Sequence, residues 1–358
     1  MATAGLVCPL RVIGAADRPV AGGKGASLGE LQRAGLPVPP GFVVTVPAFR
    51  RAMETADAGS AIEAGIASLA PGDTGAVERV TEAIRARIAA APLPADVAAA
   101  VTAAYEALGA DVPVAVRSSA VGEDAAEASF AGLQDTYLWV RGGPAVLDHV
   151  RRCWASLYNT EAVSYRLRLR SSRQQGIPEH EIAMAVVVQQ MVDPRSAGVM
   201  FTCSPTTGDR SVIAIEGSWG LGSVLVGGEV TPDSFVVSKV TGEIVRRTVS
   251  AKMRLHRMAA SGSGTTTADV AAELRSRPCL ADDEIRALAR LGTEVERHYG
   301  TPQDIEWAVA GEQILLLQSR AETVWSARAA PPLARPKARP MDHVFGQLSR
   351  PVLTRKEE

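Results

Sequence analysis

The stretch AGGKGASLGEL, residues 21–31, places three glycines around one lysine and continues with apolar residues at helical spacing. A P-loop requires GxxxxGK followed at once by Ser or Thr. Here Gly25 follows Lys24, and Arg18 stands at the position of the first motif glycine, so the stretch is not a P-loop. Glycine N–H groups, a helix predicted to begin near Ser27 and the charge of Lys24 still suit a phosphate. Taken alone, a plain loop that caps an amphipathic helix is the simpler interpretation.

Length and composition describe an ordinary globular chain with room for two or three domains, or for one large domain with two lobes. The 358 residues are 46% apolar and 22% charged with a formal net charge of -1, so the overall charge favours neither nucleic acid nor an anionic membrane. The four cysteines are far apart without a CxxC pair, which predicts buried thiols in a reducing compartment. Because no apolar run is long enough for a membrane span and the N-terminus lacks a charged leader, we expect a cytoplasmic location.

Periodicity predicts helices with a few strands first, then an antiparallel sheet, and finally a hairpin. The Ala-rich part from Ala48 to about Gly109 is predicted to be helical, as is 144–175. The run EIAMAVVVQQMV predicts a central strand, and AGVMFTCSP, SVIAIEGSW, DSFVVSK and GEIVRRTV predict short strands. SGSGTTT is predicted to be a loop, Asp282–Tyr299 an amphipathic helix, and DIEWAVAGEQILLLQSR a hairpin around Gly311. Two lobes with a cleft fit this order.

A second stretch rich in groups that suit phosphate is VRSSAVGEDAAEASFAGLQDTY, residues 116–137. Arg117 leaves a predicted strand, Ser118 supplies a hydroxyl, and a loop of small residues ends at Gly132. Such a loop can close over an anion and exclude water. The same stretch also carries acidic residues, so an acidic surface loop remains an alternative.

The predicted hairpin carries a polar stripe. Glu306 and Gln318 lie on its two arms, with Asp304 and Arg320 two residues away on the same face. A carboxylate and an amide oxygen are hard ligands that suit Mg²⁺ carrying nucleotide phosphates, although a chance polar stripe is the alternative. Upstream, a Gly-rich turn between strands is followed by Lys239 at a strand end; an ordinary hairpin or bulge explains that turn equally well.

Together these stretches resemble the nucleotide-binding domain of the phosphoenolpyruvate synthase and pyruvate phosphate dikinase family, an ATP-grasp relative also present in rifampin phosphotransferase. The resemblance covers about Val20 to Thr323. It is carried by GGKGASLGEL, PVPPGFVVT, VAVRSSA, EASFAGLQDTY, VVVQQMV, GLG with PDSFVVSK, and YGTPQDIEWA followed by LLLQSR. It implies an α+β, two-lobed, ATP-grasp-like fold, with mixed or antiparallel sheets flanked by helices and a nucleotide cleft between the lobes. The implied parts are an N-terminal lobe with a phosphate lid, a C-terminal lobe with the metal-binding hairpin, and a Pro/Arg-rich linker or docking tail, at 1–188, 189–325 and 326–358.

The resemblance also implies ATP and Mg²⁺ as cofactors and assigns roles to individual residues. The implied catalytic residues are Lys24, Arg117 and Arg320. The implied metal ligands are Glu306 and Gln318. The implied nucleotide-binding residues are Ser118, Gly132, Thr136, Gln189, Gln190, Met191, Val192 and Lys239. Three positions depart from the family pattern and put nucleotide preference and ribose contacts in doubt: Gln190 and Ser223, where Glu is common, and Ala321, where Pro is usual.

The resemblance implies a function as the ATP-binding subunit of a split dikinase of the phenylphosphate synthase type. ATP, water and an acceptor would give AMP, phosphate and a phosphorylated acceptor. None of the five histidines lies in the TGG or SHA context of a phosphate carrier: His149, His180, His256, His298 and His343. We therefore expect a separate histidine-carrier protein and a small acceptor bound elsewhere, with no nucleic acid and no membrane as partners. The alternatives are an excised nucleotide domain of a one-chain phosphoenolpyruvate synthase or rifampin phosphotransferase, and a catalytically silent nucleotide sensor.

Overall fold

The described part of the chain consists of two large antiparallel sheets, a separate two-stranded sheet, and helices packed against the large sheets. The computed structural model describes residues 5–55, 58–70, 72–121, 135–171 and 182–325. The helices are α1 (Arg18–Arg33), α2 (Val46–Thr55), α3 (Ala58–Ala67), α4 (Thr74–Ala90), α5 (Ala95–Leu108), α6 (Gly143–Ser156), α7 (Thr160–Ser171), α8 (Ser223–Val226) and α9 (Asp282–Tyr299). The strands are β1 (Val7–Pro9), β2 (Gly41–Val44), β3 (Val114–Ala120), β4 (Thr136–Val140), β5 (Met184–Gln190), β6 (Ser196–Phe201), β7 (Val212–Trp219), β8 (Asp233–Ser238), β9 (Ile244–Thr248), β10 (Arg254–Met258), β11 (Thr265–Asp269), β12 (Gln303–Ala310) and β13 (Gln313–Ala321).

The first sheet has the order β1-β2-β5-β3-β4, and every neighbouring pair is antiparallel. The predicted central strand is confirmed, because β5 lies between β2 and β3 and is buried from Met184 to Gln189. Strand β3 is buried along its whole length, Arg117 included. The Ala-rich helices pack their apolar faces on this sheet and form one core with it. The Arg117 side chain therefore projects from the middle of a buried strand.

The second sheet has the order β13-β12-β6-β7-β8-β9 and packs against α9. Helix α9 has the predicted bounds, since acidic residues favour its first turn and Gly300, at φ 72°, ends it in the left-handed conformation. The predicted hairpin around Gly311 is also confirmed. The loop predicted for SGSGTTT is wrong in part, because Thr265–Asp269 pairs with Arg254–Met258 as a two-stranded sheet.

Helix α1 begins earlier than the sequence predicts. It starts at Arg18 instead of near Ser27 and is kinked at Gly22, where φ is 69°. A Cβ at Gly22 would stand 2.0 Å from the backbone oxygen of Ser119, so only glycine fits this approach. The Ser119 hydroxyl donates to the Ala21 carbonyl at 2.8 Å and accepts from the Gly25 N–H at 3.0 Å. The glycine-rich stretch is therefore the kinked start of a helix fixed against β3.

The chain leaves the first sheet at Gln190, which still pairs with Val114 of β3, and enters the second sheet at Ser196. The boundary predicted between residues 188 and 189 falls inside β5. Internal contacts group Met1–Glu322 in one unit and Thr323–Glu358 in another, and all the helices and strands named above lie in the first. The predicted tail from residue 326 lies outside the described residues.

All four cysteines are free and buried, as their spacing predicts.

Among the helices that the structure describes, none is by itself long and apolar enough to cross a bilayer. The helices Thr74–Ala90 and Ala95–Leu108 satisfy that test by length and composition only when they are counted together, across a bend of 72°.

Candidate functional site

A cavity of about 240 Å³ lies between the two sheets. The first sheet contributes parts of β3, β4 and β5, the second contributes β6, β12 and β13, and a short segment, 221–226, adds a further wall. Most of the lining side chains are apolar, including Leu138, Met191, Val192, Val199, Leu221, Val226, Trp307 and Leu317. Arg117, Glu306 and Thr136 add polar groups to the lining. The cavity therefore combines apolar walls that suit an aromatic base with charged groups that suit phosphates.

Arg117 joins the two sheets at this cavity. Its Nη1 donates to the Leu317 carbonyl at 2.7 Å, and its Nη2 donates to Gln318 Oε1 at 2.6 Å and to Glu306 Oε2 at 3.2 Å. The arginine is 8% exposed. A predicted catalytic arginine and the two predicted metal ligands are thus brought together.

The two predicted metal ligands suit a magnesium ion. Glu306 and Gln318 are directly opposite each other on the hairpin, and one oxygen of each contacts the same cationic nitrogen of Arg117. A carboxylate and an amide oxygen that both reach one cation form a hard donor set. Within the described ranges, no group of three or more His, Cys, Asp or Glu side chains could hold a metal. Mg²⁺ commonly takes only one or two protein ligands and completes its shell with phosphates and water, so these residues fit it.

The segment expected to meet the base lines the cavity at Gln189, Gln190, Met191 and Val192. The fold already uses two of its backbone donors, because the Gln190 N–H bonds the Pro40 carbonyl and the Met191 N–H bonds the Pro113 carbonyl, both at 2.8 Å. The side-chain Nε2 of Gln189 donates to the Pro39 carbonyl at 3.2 Å. These hydrogen bonds hold the segment in place, and the N–H groups of Gln190 and Met191 are already used within the fold.

The remaining predicted phosphate residues lie around β3. Thr136 pairs with Arg117 in the β3–β4 register and lines the cavity. Ser118 is buried and its N–H donates to the Asp135 carbonyl at 3.3 Å. Gly132 and most of the predicted lid lie outside the described residues.

Lys24 lies at the kinked start of α1, one residue before Gly25, whose N–H donates to the Ser119 hydroxyl of β3. Lys24 is not among the residues that line the cavity. Burial raises the pKa of the Cys153 thiol, Asp135 adds to the rise, and the positive charge of Lys24 opposes it.

Arg320 is paired with Asp304, and the Ile305–Ser319 pair separates them from the pair formed by Glu306 and Gln318. Its Nε and Nη2 contact Asp304 Oδ2 at 2.8 and 2.7 Å, and its side chain is 49% exposed. Burial raises the pKa of Asp304 against the opposing effect of Arg320, and Glu306 adds to the rise. Arg320 lines a smaller neighbouring hollow, so the structure places it beside the cavity and not in its lining.

Lys239 is a correction to the predicted set. Its ammonium is ion-paired with Glu296 of α9, and it lines a separate hollow between α9 and the β8–β9 turn. The predicted position at a strand end is confirmed, but that end lies away from the residues grouped around Arg117. The structure gives Lys239 no contact with the cavity.

Sequence reasoning missed two features of the cavity. Trp307 is fully buried in its wall and lies on two glycines of the second sheet, since a Cβ at Gly198 or Gly217 would come within 2.8 Å of the indole ring. Glycines inside AGVMF and EGSW were the available signal. The second missed feature is a hydrogen-bonded chain in which Ser223 Oγ lies 2.9 Å from His256 Nδ1 and His256 Nε2 lies 3.3 Å from Glu229 Oε2.

The sequence is similar to a family of nucleotide-binding domains and to several curated proteins. Residues 18–339 match the family described as pyruvate phosphate dikinase, AMP/ATP-binding domain. The chain is 43% identical over 316 residues to a probable phosphoenolpyruvate synthase of Methanothermobacter thermautotrophicus, covering 87% of this chain and 45% of that protein. It is 44% identical over 320 residues to a rifampicin phosphotransferase of a Streptomyces species, covering 89% and 36%. It is 42% identical over 353 residues to the phosphoenolpyruvate synthase of Aeropyrum pernix, covering 89% and 42%. The chain thus spans less than half the length of these curated relatives.

Proposed function

This chain belongs to the family of the pyruvate phosphate dikinase AMP/ATP-binding domain, and from that premise we propose that it binds Mg²⁺-ATP between its two sheets and passes on a phosphoryl group. The relatives that it matches are named as phosphotransferases and phosphoenolpyruvate synthases. The chain spans less than half of each relative, so we assign to it only the nucleotide-binding part of their chemistry.

The contact of Arg117 with Glu306 and Gln318 carries the proposal. Three side chains from two sheets meet there, and their chemistry is that of a metal-phosphate site: one guanidinium for phosphate oxygens and two hard oxygens for the cation. Glu306 and Gln318 would hold the ion, and a bound Mg²⁺ neutralises charge on the transferring phosphates.

The other cavity residues position the substrate. Apolar walls around Met191 and Trp307 exclude water and accept the base, which leaves Arg117 to orient the phosphate oxygens. The Arg117 stem is fixed in the buried strand β3, so the guanidinium is pre-organised and loses little entropy on binding. Phosphoryl transfer asks mainly for such positioning and charge neutralisation.

We further propose the dikinase reaction, in which ATP, water and an acceptor give AMP, phosphate and a phosphorylated acceptor through a phosphohistidine on a partner protein. The three histidines that the structure describes are engaged elsewhere: His149 with the Ala145 carbonyl, His256 with Ser223 and Glu229, and His298 with Glu30. None of these three lines the cavity. His180 and His343 lie outside the described residues. A histidine carrier on a partner protein, with a small acceptor bound elsewhere, is consistent with the contacts of the three described histidines.

A second candidate is the nucleotide domain of a one-chain phosphoenolpyruvate synthase or rifampicin phosphotransferase. The coverage of 36% to 45% of the relatives favours it, because it leaves room in them for carrier and acceptor parts. We propose a cytoplasmic location for both candidates, because both use ATP as the substrate.

The test is to follow the β-phosphate of ATP. The chain is incubated with Mg²⁺ and ATP labelled in that phosphate, alone and with a histidine-domain protein of this family. We expect binding without transfer by the chain alone, and AMP with an acid-labile phosphohistidine on the added protein. Stable label on this chain, or acceptor phosphorylation without the added protein, would show that the partner mechanism is wrong.

A further inference from the structure

A second hollow, of about 580 Å³, adjoins the cavity between the two large sheets. The cavity and this hollow share three lining residues, Thr136, Leu138 and Ser223. Strand β4 and helix α6 supply part of the lining of the hollow, and the small sheet β10–β11, which belongs to neither large sheet, supplies another part. Movement of the small sheet away from β4 would therefore open the hollow, and with it one side of the cavity, to solvent.

The small sheet is anchored at its base and at its middle. At the base, the Lys252 ammonium and Asp233 Oδ1 form a fully buried ion pair at 2.6 Å. At the middle, the Leu221 N–H donates to the His256 carbonyl at 2.9 Å. Residues 257–266 form the end of the hairpin beyond His256, and we call this end the strap.

The strap has little packing of its own. None of the residues 257–266 is buried, most are exposed, and none belongs to either hydrophobic core. Its turn is closed within the hairpin, because the Ala259 N–H donates to the Gly264 carbonyl at 3.0 Å. Segments with few buried contacts open at a low cost in free energy. The strap can therefore move while both large sheets stay intact.

Arg141 holds the strap from the side of the first sheet. It directly follows β4, and its Nε donates to the Gly262 carbonyl in the turn of the strap at 3.3 Å. Its Nη1 donates to the Asp111 carbonyl at 3.1 Å. The N–H of the next residue, Gly142, donates to the Tyr105 hydroxyl at 2.9 Å, which fixes the backbone that carries the arginine. Arg141 is thus a positioned donor that connects the first sheet to the tip of the strap.

We propose that the strap is a gate beside the cavity and that Arg141 is its latch. When the hydrogen bond between Arg141 and Gly262 breaks, the strap moves away from β4, and nucleotide enters or leaves through the hollow. The identity of the ligand that passes rests on the proposed function. A hydrogen bond between partly exposed groups contributes little net free energy, so it can break and re-form while nucleotide binds.

A gate has a kinetic signature that a ligand contact does not share. A more open gate accelerates association and dissociation by the same factor, so the dissociation constant stays unchanged. Loss of a ligand contact acts mainly on the dissociation rate and weakens the affinity. The two rate constants therefore distinguish a latch from a residue that binds the nucleotide.

Stopped-flow fluorescence with Mg²⁺ and N-methylanthraniloyl-ATP measures both rate constants in the full chain. In Arg141→Met we expect association and dissociation each to accelerate by about fivefold, the effect of one hydrogen bond, with an unchanged dissociation constant. Arg257→Met, at an exposed position of the strap itself, is the matched control and should change neither rate. Replacement of residues 259–264 by Asn-Gly removes the latched carbonyl but keeps a favoured hairpin turn, and it should accelerate both rates as Arg141→Met does.

Amide hydrogen exchange without nucleotide tests the latch separately. Exchange across residues 257–266 should become about fivefold faster in Arg141→Met, while exchange across β12 and β13 stays unchanged. Unchanged exchange in the strap would overturn the latch. Unchanged nucleotide rates, or faster dissociation alone, would overturn the gate and leave the proposed function standing. Failure of the unmodified chain to bind the nucleotide would overturn the gate together with the proposed function.

Discussion

The Arg117 guanidinium donates to Gln318 Oε1 at 2.6 Å across the boundary between the two sheets. The same nitrogen contacts Glu306 Oε2 at 3.2 Å, so a cation already lies between the two oxygens that the proposed function assigns to magnesium. Guanidinium and metal compete for these oxygens, and nucleotide phosphates offer the guanidinium an alternative partner. The site is therefore arranged for an exchange of partners when metal and nucleotide bind together.

The metal pair should control the part of nucleotide binding that depends on magnesium. Ligand binding to the folded chain raises its melting temperature by mass action, and we expect a larger rise for ATP with Mg²⁺ than for ATP with EDTA. The double replacement Glu306→Ala and Gln318→Ala should abolish that difference. Glu312→Ala, in the exposed turn of the same hairpin, is the control. An unchanged difference in the double variant would remove the pair from the metal site.

Removal of the Arg117 guanidinium should raise the affinity for Mg²⁺ and lower the affinity for ATP. In Arg117→Met the guanidinium no longer occupies Glu306 and Gln318, so Mg²⁺ alone should bind more tightly, while ATP should lose about tenfold or more because its charge-assisted bonds are gone. Isothermal titration with MgCl₂ and then with ATP measures both. Arg320→Met removes a neighbouring arginine that pairs with Asp304 and should leave the affinity for Mg²⁺ alone unchanged. Weaker binding of Mg²⁺ alone in Arg117→Met would contradict the exchange.

The two lysines of the predicted site offer a matched pair. Lys24 precedes Gly25, whose N–H bonds Ser119, two residues along β3 from Arg117, whereas Lys239 is paired with Glu296 in a separate hollow. If Lys24 meets charge that develops during transfer, Lys24→Ala should lower AMP formation by about a hundredfold and ATP affinity much less. Lys239→Ala should change neither. The assay follows AMP with the histidine-domain protein present, and equal rates in Lys24→Ala and the unmodified chain would return the glycine-rich stretch to a structural role.

Glu30 should make folding stability depend on pH. The Ala15 N–H lowers the pKa of the Glu30 carboxyl below its usual 4.5, and the hydrogen bond from His298 lowers it further. Since the folded-state pKa is depressed, the stabilisation is present above about 4.5 and is lost as the pH falls through the folded-state pKa. We expect Glu30→Gln to lower the free energy of unfolding by about 1 kcal/mol at pH 7 and by less at pH 3.5.

Urea unfolding at several pH values measures this difference, with Glu294→Gln on an exposed position of α9 as the control. A loss that stays constant from pH 7 to pH 3.5 would show that the carboxylate charge of Glu30 is not what stabilises the fold.

Local patterns predicted the elements whose stability is local. Helix α9 carries a regular apolar stripe between an acidic start and a left-handed glycine, and the β12–β13 hairpin alternates around Gly311, so both were found from sequence. The start of α1 was not, because a tertiary contact between Gly22 and Ser119 lets the helix continue through glycines.

The family resemblance named residues for the site, and the structure brings only some of them together; their roles stay predictions. Arg117, Glu306 and Gln318 meet as expected. Lys239 does not, because its strand end faces α9 instead of the cavity. The hydrogen-bonded chain of Ser223, His256 and Glu229 could not be predicted from the sequence. Ser223 and His256 are 33 residues apart and meet only through the packing of β10 on the segment after β7.

The place of the β12–β13 hairpin in the chain bears on how the protein is made. This hairpin is the last pair of strands that the structure describes, yet it supplies Glu306, Leu317 and Gln318 to a site whose arginine is 201 residues earlier than Gln318. During synthesis the first sheet can form with Arg117 buried in it well before its partners leave the ribosome. The nascent chain therefore carries an incomplete site until the β12–β13 hairpin docks, and ATP cannot assist the folding of the part that is translated first.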